Sequence, residues 1–346
     1  MRILLGLSGG VDSTYAALKL KKQGHEVEGA VVLMHDYTDR EGASRSALEI
    51  GIPLHEIDAR EAFSRVVCGN FVAEYTSGRT PNPCVICNRE VKFKSLYDYA
   101  KNNGFDAIAT GHYARVNSIS EDGEVRYFIS RALDGRKDQS YMLSRLSSEL
   151  LSSLVLPMGD EIKSDITDTA RNLGFSSANK RESQEICFIP DGKYTEFIES
   201  RAGASPAGDF INENGETLGK HKGIIHYTVG QRKGLDIALG HRVFVTGINP
   251  VDNTVMLEAA PRLSSTVKVK NIIFSKISVP DSEKSYKLSV KLRYLAPPVE
   301  CDVTVFRGGE ATVRLNTPQG SVTPGQSAVF YDGDDCAFSG IIECAD

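Results

Sequence analysis

The chain reads as an α/β protein: a doubly wound parallel sheet, then a small β-rich stretch, then a C-terminal β-barrel. Three observations predict this. Short apolar runs alternate with amphipathic helical stretches through the first half. Near residue 190 the texture changes to β-type runs bounded by Gly and Pro. Six short β runs then fill the C-terminal segment, the spacing of a small barrel or sandwich. A length of 346 residues suits two or three domains at roughly 150 each. Boundaries are expected at 1–190, 191–258 and 259–346.

The elements follow in order. Ile3–Leu7 is a continuous apolar run, as in a buried parallel strand. Ser13–Lys22 has helical spacing, Glu26–Leu33 is a second strand and Arg40–Ile50 a helix. Pro53–Asp58 reads as a strand and Arg60–Tyr75 as a helix. A breaker cluster, 77–82, precedes a helix over Asn88–Asn103 and the apolar run Phe105–Ala109. Ser140–Leu150 reads as helical. Beyond the change, Gly223–Thr228, Arg242–Ile248 and Thr254–Glu258 are β-type. The last six runs are Val267–Phe274, Tyr286–Arg293, Cys301–Phe306, Ala311–Leu315, Ala328–Tyr331 and Ala337–Glu343.

Composition narrows the function. The chain is 41% apolar and 25% charged, an ordinary globular profile. A net charge of -5 excludes a uniformly basic nucleic-acid binder. Charge is segregated, however. Residues 219–242 hold five basic groups against Asp236 alone, and residues 262–307 hold nine basic against four acidic. Such patches suit phosphate backbones, or are solvated faces. The apolar start is too short for a signal peptide, and no run approaches a membrane span. The expectation is a cytoplasmic protein with no membrane partner and reduced thiols.

Ser8-Gly9-Gly10-Val11-Asp12-Ser13 falls between the first strand and the first helix. Glycines there let backbone N–H groups face an anion, and the helix N-terminus adds partial positive charge. Ser13 is placed to cap the helix and bond a phosphate oxygen. The stretch lacks the Gly-Lys-Ser/Thr of a Walker loop and the Gly-x-Gly-x-x-Gly of a dinucleotide site. A tight strand-to-helix turn is the alternative. The full run resembles the signature loop of the PP-loop ATP pyrophosphatases, an adenine nucleotide alpha-hydrolase-like fold. That resemblance implies ATP bound as its Mg²⁺ complex at Gly6, Leu7, Ser8, Gly9, Gly10, Val11, Asp12 and Ser13, with Asp12 the metal-side carboxylate.

Seven cysteines occur, an odd number far below disulfide-scaffold density. Cys84 and Cys87 follow Asn82-Pro83 and precede the helix expected from Asn88, where a thiolate is stabilised. Cys187 follows Ser183-Gln184-Glu185-Ile186. Four readings compete: a thiol redox pair, a structural zinc site lacking further ligands, a three-cysteine iron–sulfur centre, and a nucleophile with a sulfur-carrying partner. Cys68, Cys301, Cys336 and Cys344 read as packing.

With these cysteines the chain resembles the bacterial tRNA-specific 2-thiouridylase family. The matching stretches are Gly6–Ser13, Gly78–Phe93, Ala109–Ala114, Lys137–Tyr141, Ser183–Ile189, His226–Gly234 and Thr323–Tyr331. The resemblance implies ATP-dependent thiolation of the wobble uridine of tRNAs for Lys, Glu and Gln. It makes Cys87 the nucleophile and Cys187 the persulfide carrier, with a Cys87–Cys187 disulfide left after transfer. It also implies a persulfide donor, a cysteine desulfurase or sulfur-relay protein. Well-known members carry Asp where Cys84 stands. Cys84, Cys87 and Cys187 are therefore also possible ligands of an iron–sulfur cluster. Met34 and Gly111 are implied ATP contacts. Asn82, Pro83, Cys84, His112, Lys137, Asp138, Gln139, Arg293, Tyr294 and Gln326 are implied tRNA contacts. Two other classes stay open: a PP-loop ligase acting on a small molecule, and an RNA-binding module with a vestigial nucleotide loop.

Overall fold

The computed structural model describes residues 1–121, 123–180 and 186–346. Its first layer is a five-stranded parallel sheet. β1 (Arg2–Gly6) lies at the centre, flanked by β2 (Glu26–Leu33) and then β3 (Leu54–Asp58). On its other side are β4 (Ala107–Thr110) and the short strand Leu154–Val155. Strand order therefore reverses between β1 and β4, which opens a crevice at their carboxyl ends.

Period-two alternation explains the burial. Leu4 faces a core with Ile108, Phe93 and Leu96, while Ile3, Leu5 and Leu7 face Ala16, Ala17 and Leu20 of the opposite layer. Those alanines belong to α1 (Val11–Lys22), which packs closely because its inner face is small. α2 (Arg40–Ile50) is capped by Asp39, whose Oδ1 accepts from Gly42 N at 3.0 Å.

Two predicted helices prove segmented. Arg60–Tyr75 is interrupted by a π-helical turn at Ser64–Cys68. The helix expected from Asn88 starts earlier, at Pro83, and carries a second π turn over Asn88–Lys92 before Phe93–Asn102. Asn82 supplies the cap, accepting from Val85 N at 3.3 Å, and Pro83 takes the first helical position, where no N–H is needed. Ser140–Leu150 likewise breaks into Ser140–Leu143 and Ser148–Ser152.

The central segment holds a four-stranded sheet of Phe244–Asn249, Thr254–Glu258, Gly208–Ile211 and Thr217–His221. The β run expected at Gly223–Thr228 is a short 3₁₀ turn, Ile224–His226. The six C-terminal runs are all strands. They close into a barrel, because Leu263–Phe274 pairs with both Glu310–Gly320 and Asp335–Ala345. Of the two expected alternatives, barrel or sandwich, the barrel is formed.

A hairpin absent from the sequence reading, Arg115–Glu121 with Glu124–Ser130, leaves the parallel domain and docks on the barrel edge. Its Ser130 Oγ donates to Asp335 Oδ1 at 2.6 Å. Nearby, the buried Tyr141 hydroxyl donates to Ser327 O at 2.9 Å, and Ser339 Oγ donates to Ser144 O at 3.0 Å. These three contacts across the seam are thus polar and paired. No helix among the described residues is long and apolar enough to cross a membrane.

Candidate active site

The glycine loop stands at the point of strand reversal. Gly6 ends β1, and Leu7 and Val11 bury their side chains in the core, so their offering to a ligand is backbone. Gly9 has a φ of +72°, and a Cβ there would lie 2.5 Å from the Gly42 carbonyl carbon. Only glycine fits a left-handed turn pressed this tightly against α2. Gly111, just past β4, closes the other wall. A Cβ on it would lie 2.6 Å from Ser13 N.

Ser13 does not cap α1 with its side chain. Gly10 occupies the cap position, and Ser13 is the third helical residue. Its Oγ donates to Gly10 O at 3.0 Å and accepts from Ser8 N at 3.2 Å. The hydroxyl therefore holds the loop's curvature, leaving the exposed Ser8 at its mouth.

Asp12 points across the crevice into a cluster the sequence reading missed. Lys163 Nζ reaches its two carboxylate oxygens at 2.6 and 2.7 Å, and the Tyr113 hydroxyl donates to Oδ1 at 2.7 Å. Lys163 starts the helix Lys163–Asn172, a segment left unassigned from sequence. Nothing in spacing announces a lysine 151 residues from its partner. The pair puts an ammonium beside the anion loop.

The cysteines occupy the adjoining wall. Cys84 and Cys87 sit one turn apart inside the helix Pro83–Cys87, not ahead of a helix as expected. Cys87 is buried, and its Sγ lies 3.4 Å from Met34 Sδ, just beyond β2. Met34 thus joins the nucleotide crevice to the thiols. Cys84 and Cys187 are exposed. Both are near enough for their charge to act on Cys87 or on each other. Of the matched stretch leading to Cys187, Ser183, Gln184 and Glu185 lie outside the described residues.

The expectation of stabilised thiolates is corrected. Desolvation raises the pKa of Cys84 and of Cys87. Desolvation, together with Cys84 and Cys87, pushes Cys187 up to about 11. Although Cys84 and Cys187 reach the surface, the protein packed around their sulfurs desolvates them enough to outweigh the helix-end effect, and for Cys87 and Cys187 the neighbouring thiols add to it. Lys92, turned toward them at the end of the π turn, lowers all three and is the opposing charge. Cys68, on the other π turn, also raises Cys87, so it stands near the same group.

A raised pKa means less thiolate at any pH below it, so Cys187 should alkylate slowly near neutrality. Iodoacetamide labelling of Cys187, followed by peptide mass spectrometry, should run about a hundredfold slower at pH 8 than labelling of an ordinary thiol. It should climb about tenfold per pH unit up to about pH 10. Lys92→Met should slow it further. Labelling at the rate of a free thiol would contradict the thiol cluster.

His112 donates to or accepts from Thr110 Oγ1 through Nδ1 at 2.8 Å and lies against the Phe93 ring. Burial, with Lys92 nearby, pushes its pKa down to about 3, so the ring is neutral. Among the other expected contacts, Asp138 is buried and takes donors from Ala132 N, Ser140 N and Ser140 Oγ. Gln139 accepts from Tyr113 N at 2.9 Å. This segment therefore also braces the wall bearing Tyr113, and Lys137 stands at its outer end. Gln326 donates to Thr80 O and Pro81 O at 2.8 and 3.0 Å, tying the barrel to the loop ahead of Asn82. Arg293 donates to Val229 O at 3.0 Å and to Thr323 Oγ1, joining barrel and central segment. Tyr294 packs 6.0 Å from the Tyr141 ring.

Among the described residues, no three His, Cys, Asp or Glu side chains are grouped to hold a metal ion. As placed, the three thiols are not grouped as an iron–sulfur ligand set.

A parallel sheet carrying a glycine loop at its switch point defines a nucleotide-binding HUP domain, the PP-loop kind. Residues 1–191 match a family model described as the tRNA methyl transferase HUP domain. Residues 195–258 match the tRNA methyl transferase PRC-barrel domain, and 264–342 the aminomethyltransferase beta-barrel domain. The tRNA-specific 2-thiouridylase MnmA of Clostridium perfringens is 40% identical, covering 99% of this chain and 98% of that one. Its counterpart in Acetivibrio thermocellus is 39% identical, covering 99% of each chain. That of Geobacter metallireducens is 40% identical, covering 99% of this chain and 97% of its own. The chain belongs to the tRNA-specific 2-thiouridylase family.

Proposed function

We propose that this chain is an ATP-dependent tRNA sulfurtransferase that replaces the 2-oxygen of the wobble uridine in tRNAs for Lys, Glu and Gln. One observation carries the reading. The Cys87 sulfur touches Met34 at the edge of the same crevice that holds the Ser8–Ser13 loop. Nucleotide chemistry and thiol chemistry thus share one cleft.

ATP enters as its Mg²⁺ complex, with its phosphates on the backbone of Ser8–Ser13 and its adenine toward Met34. Lys163 and the helix N-terminus face the charge that builds on the leaving pyrophosphate. The target base leaves its loop and enters past Asn82, Pro83 and Cys84. Its O2 attacks the α-phosphorus, pyrophosphate departs, and the oxygen becomes part of a good leaving group, AMP. The terminal sulfur of a Cys187 persulfide attacks C2 and displaces AMP. The Cys87 thiolate attacks the Cys187 sulfur, so the S–S bond of the persulfide breaks and both its electrons stay with the base. A Cys87–Cys187 disulfide remains, which a dithiol must reduce before a cysteine desulfurase or relay protein reloads Cys187.

Nucleoside mass spectrometry of tRNA incubated with the protein, ATP and a persulfide donor tests the reading. The expected product is 2-thiouridine, with one pyrophosphate per thiolation. Its absence with every donor would overturn the proposal.

A further inference from the structure

Away from the crevice, a cavity of about 490 Å³ opens between the helix Pro83–Cys87 and the barrel. That volume is enough for a phosphate and its sugar. Asn82, Ile86, Arg89 and Arg145 wall it on one side, Ile273 and Ser327 on the other.

Its charges do not balance. Arg79, also on the wall, is matched by Glu74 at 2.9 Å and Glu343 at 3.3 Å, and Arg89 by Glu90 at 2.9 Å. Arg145 is only 4% exposed and, among the described residues, has no carboxylate partner. Its Nη2 donates to Asn271 O at 3.0 Å, while Nε and Nη1 have no acceptor. The Ser327 hydroxyl, buried on the facing wall, is also without a partner. Two guanidinium nitrogens and one hydroxyl on the walls of the same cavity thus have no partner among the described residues. A buried, unmatched guanidinium is strongly unfavourable unless an anion meets it. Nε–H and the Nη1 hydrogens point in different directions, so each offers its own single hydrogen bond to an anionic oxygen.

We propose that this cavity seats a backbone phosphate of the bound tRNA, held by Arg145 and Ser327 with Arg89 at the rim. The inference rests on tRNA being the substrate. The occupant is RNA because the walls lie along its path. Asn82 caps the helix that carries Cys84 and Cys87, and Ser327 adjoins Gln326, which grips the loop ahead of that cap. A strand whose base enters the crevice passes this opening.

The test is tRNA affinity measured over a salt series without ATP or sulfur donor. Arg145→Met should bind about tenfold more weakly, and its plot of log K against log salt should be shallower by about 0.7–0.9. Ser327→Ala should bind about threefold more weakly with an unchanged slope. Removing an unmatched buried charge leaves a fold intact or firmer, so R145M should melt no lower than the parent. Parental affinity and slope in R145M would overturn the proposal. So would stabilisation of the parent by inorganic phosphate that R145M loses while tRNA affinity stays equal, since that outcome assigns the cavity to a free anion. A parent that binds tRNA through Arg145 yet makes no 2-thiouridine would sink the thiolation reading and leave this one standing.

Discussion

Cys187→Ala is expected to lower 2-thiouridine formation by at least about a thousandfold while tRNA-stimulated pyrophosphate release stays within about threefold. The split follows from the division of labour in the cleft. In the proposed mechanism adenylation draws on Ser8–Ser13, Gly111 and Lys163. Sulfur delivery, in the same proposal, draws on Cys187 and Cys87, which stand on separate segments of one wall. Cys87→Ala should give a comparable loss, because a persulfide without a resolving thiol keeps its sulfur. The double variant should be scarcely worse than either single one, since residues acting as a unit are non-additive. Parallel assays of pyrophosphate and modified nucleoside decide the matter. Full thiolation by Cys187→Ala would end the persulfide mechanism.

Gly111→Ala should weaken ATP binding by about a hundredfold and remove adenylation with it, with tRNA affinity unchanged. The added methyl would sit 2.6 Å from Ser13 N, 2.8 Å from the Asp12 carbonyl carbon and 2.9 Å from Ser13 Cα. All three are backbone atoms, so no rotamer change relieves the clash. The loop must move, and displacement near 1 Å at a catalytic cradle costs about a hundredfold. ATP titration calorimetry beside a tRNA binding assay reads both arms. Parental ATP affinity would show that the loop is not the phosphate seat.

Much of this was legible in the sequence, for identifiable reasons. The β1 run is apolar after Arg2 and β2 ends in the apolar Ala30–Leu33, while β4 continues the apolar run from Phe105, so length and composition mark them. Ser8–Ser13 announced itself because a left-handed turn and a close backbone approach demand glycine. The barrel strands were marked by Gly, Pro and Asp turns. Three features were not legible. The hairpin at Arg115–Glu121 and Glu124–Ser130 has no continuous apolar run to mark its first strand, and it meets the barrel through the single pair Ser130 and Asp335. The early helix start at Pro83 was obscured by Pro81 and Pro83, which read as breakers although Pro83 is welcome at a first turn. Lys163 and Arg145 matter through partners more than a hundred residues away, and one-dimensional spacing carries no trace of that. Helix position is a local rule for the thiols, whereas desolvation by the surrounding chain decides their pKa shifts.

The docked hairpin also sets a timetable. Ser130 emerges from the ribosome 205 residues before Asp335, the acceptor that anchors it. At roughly 5–20 residues per second, that interval is about 10–40 s. During it the nucleotide domain has its sheet and glycine loop but not the barrel wall that Gln326 fastens to the loop at Thr80 and Pro81. The sheet edge along the hairpin meanwhile stays open to wrong partners. An unfinished chain therefore carries the glycine loop before it carries the wall opposite, and the last strand made is the one that joins the two bodies.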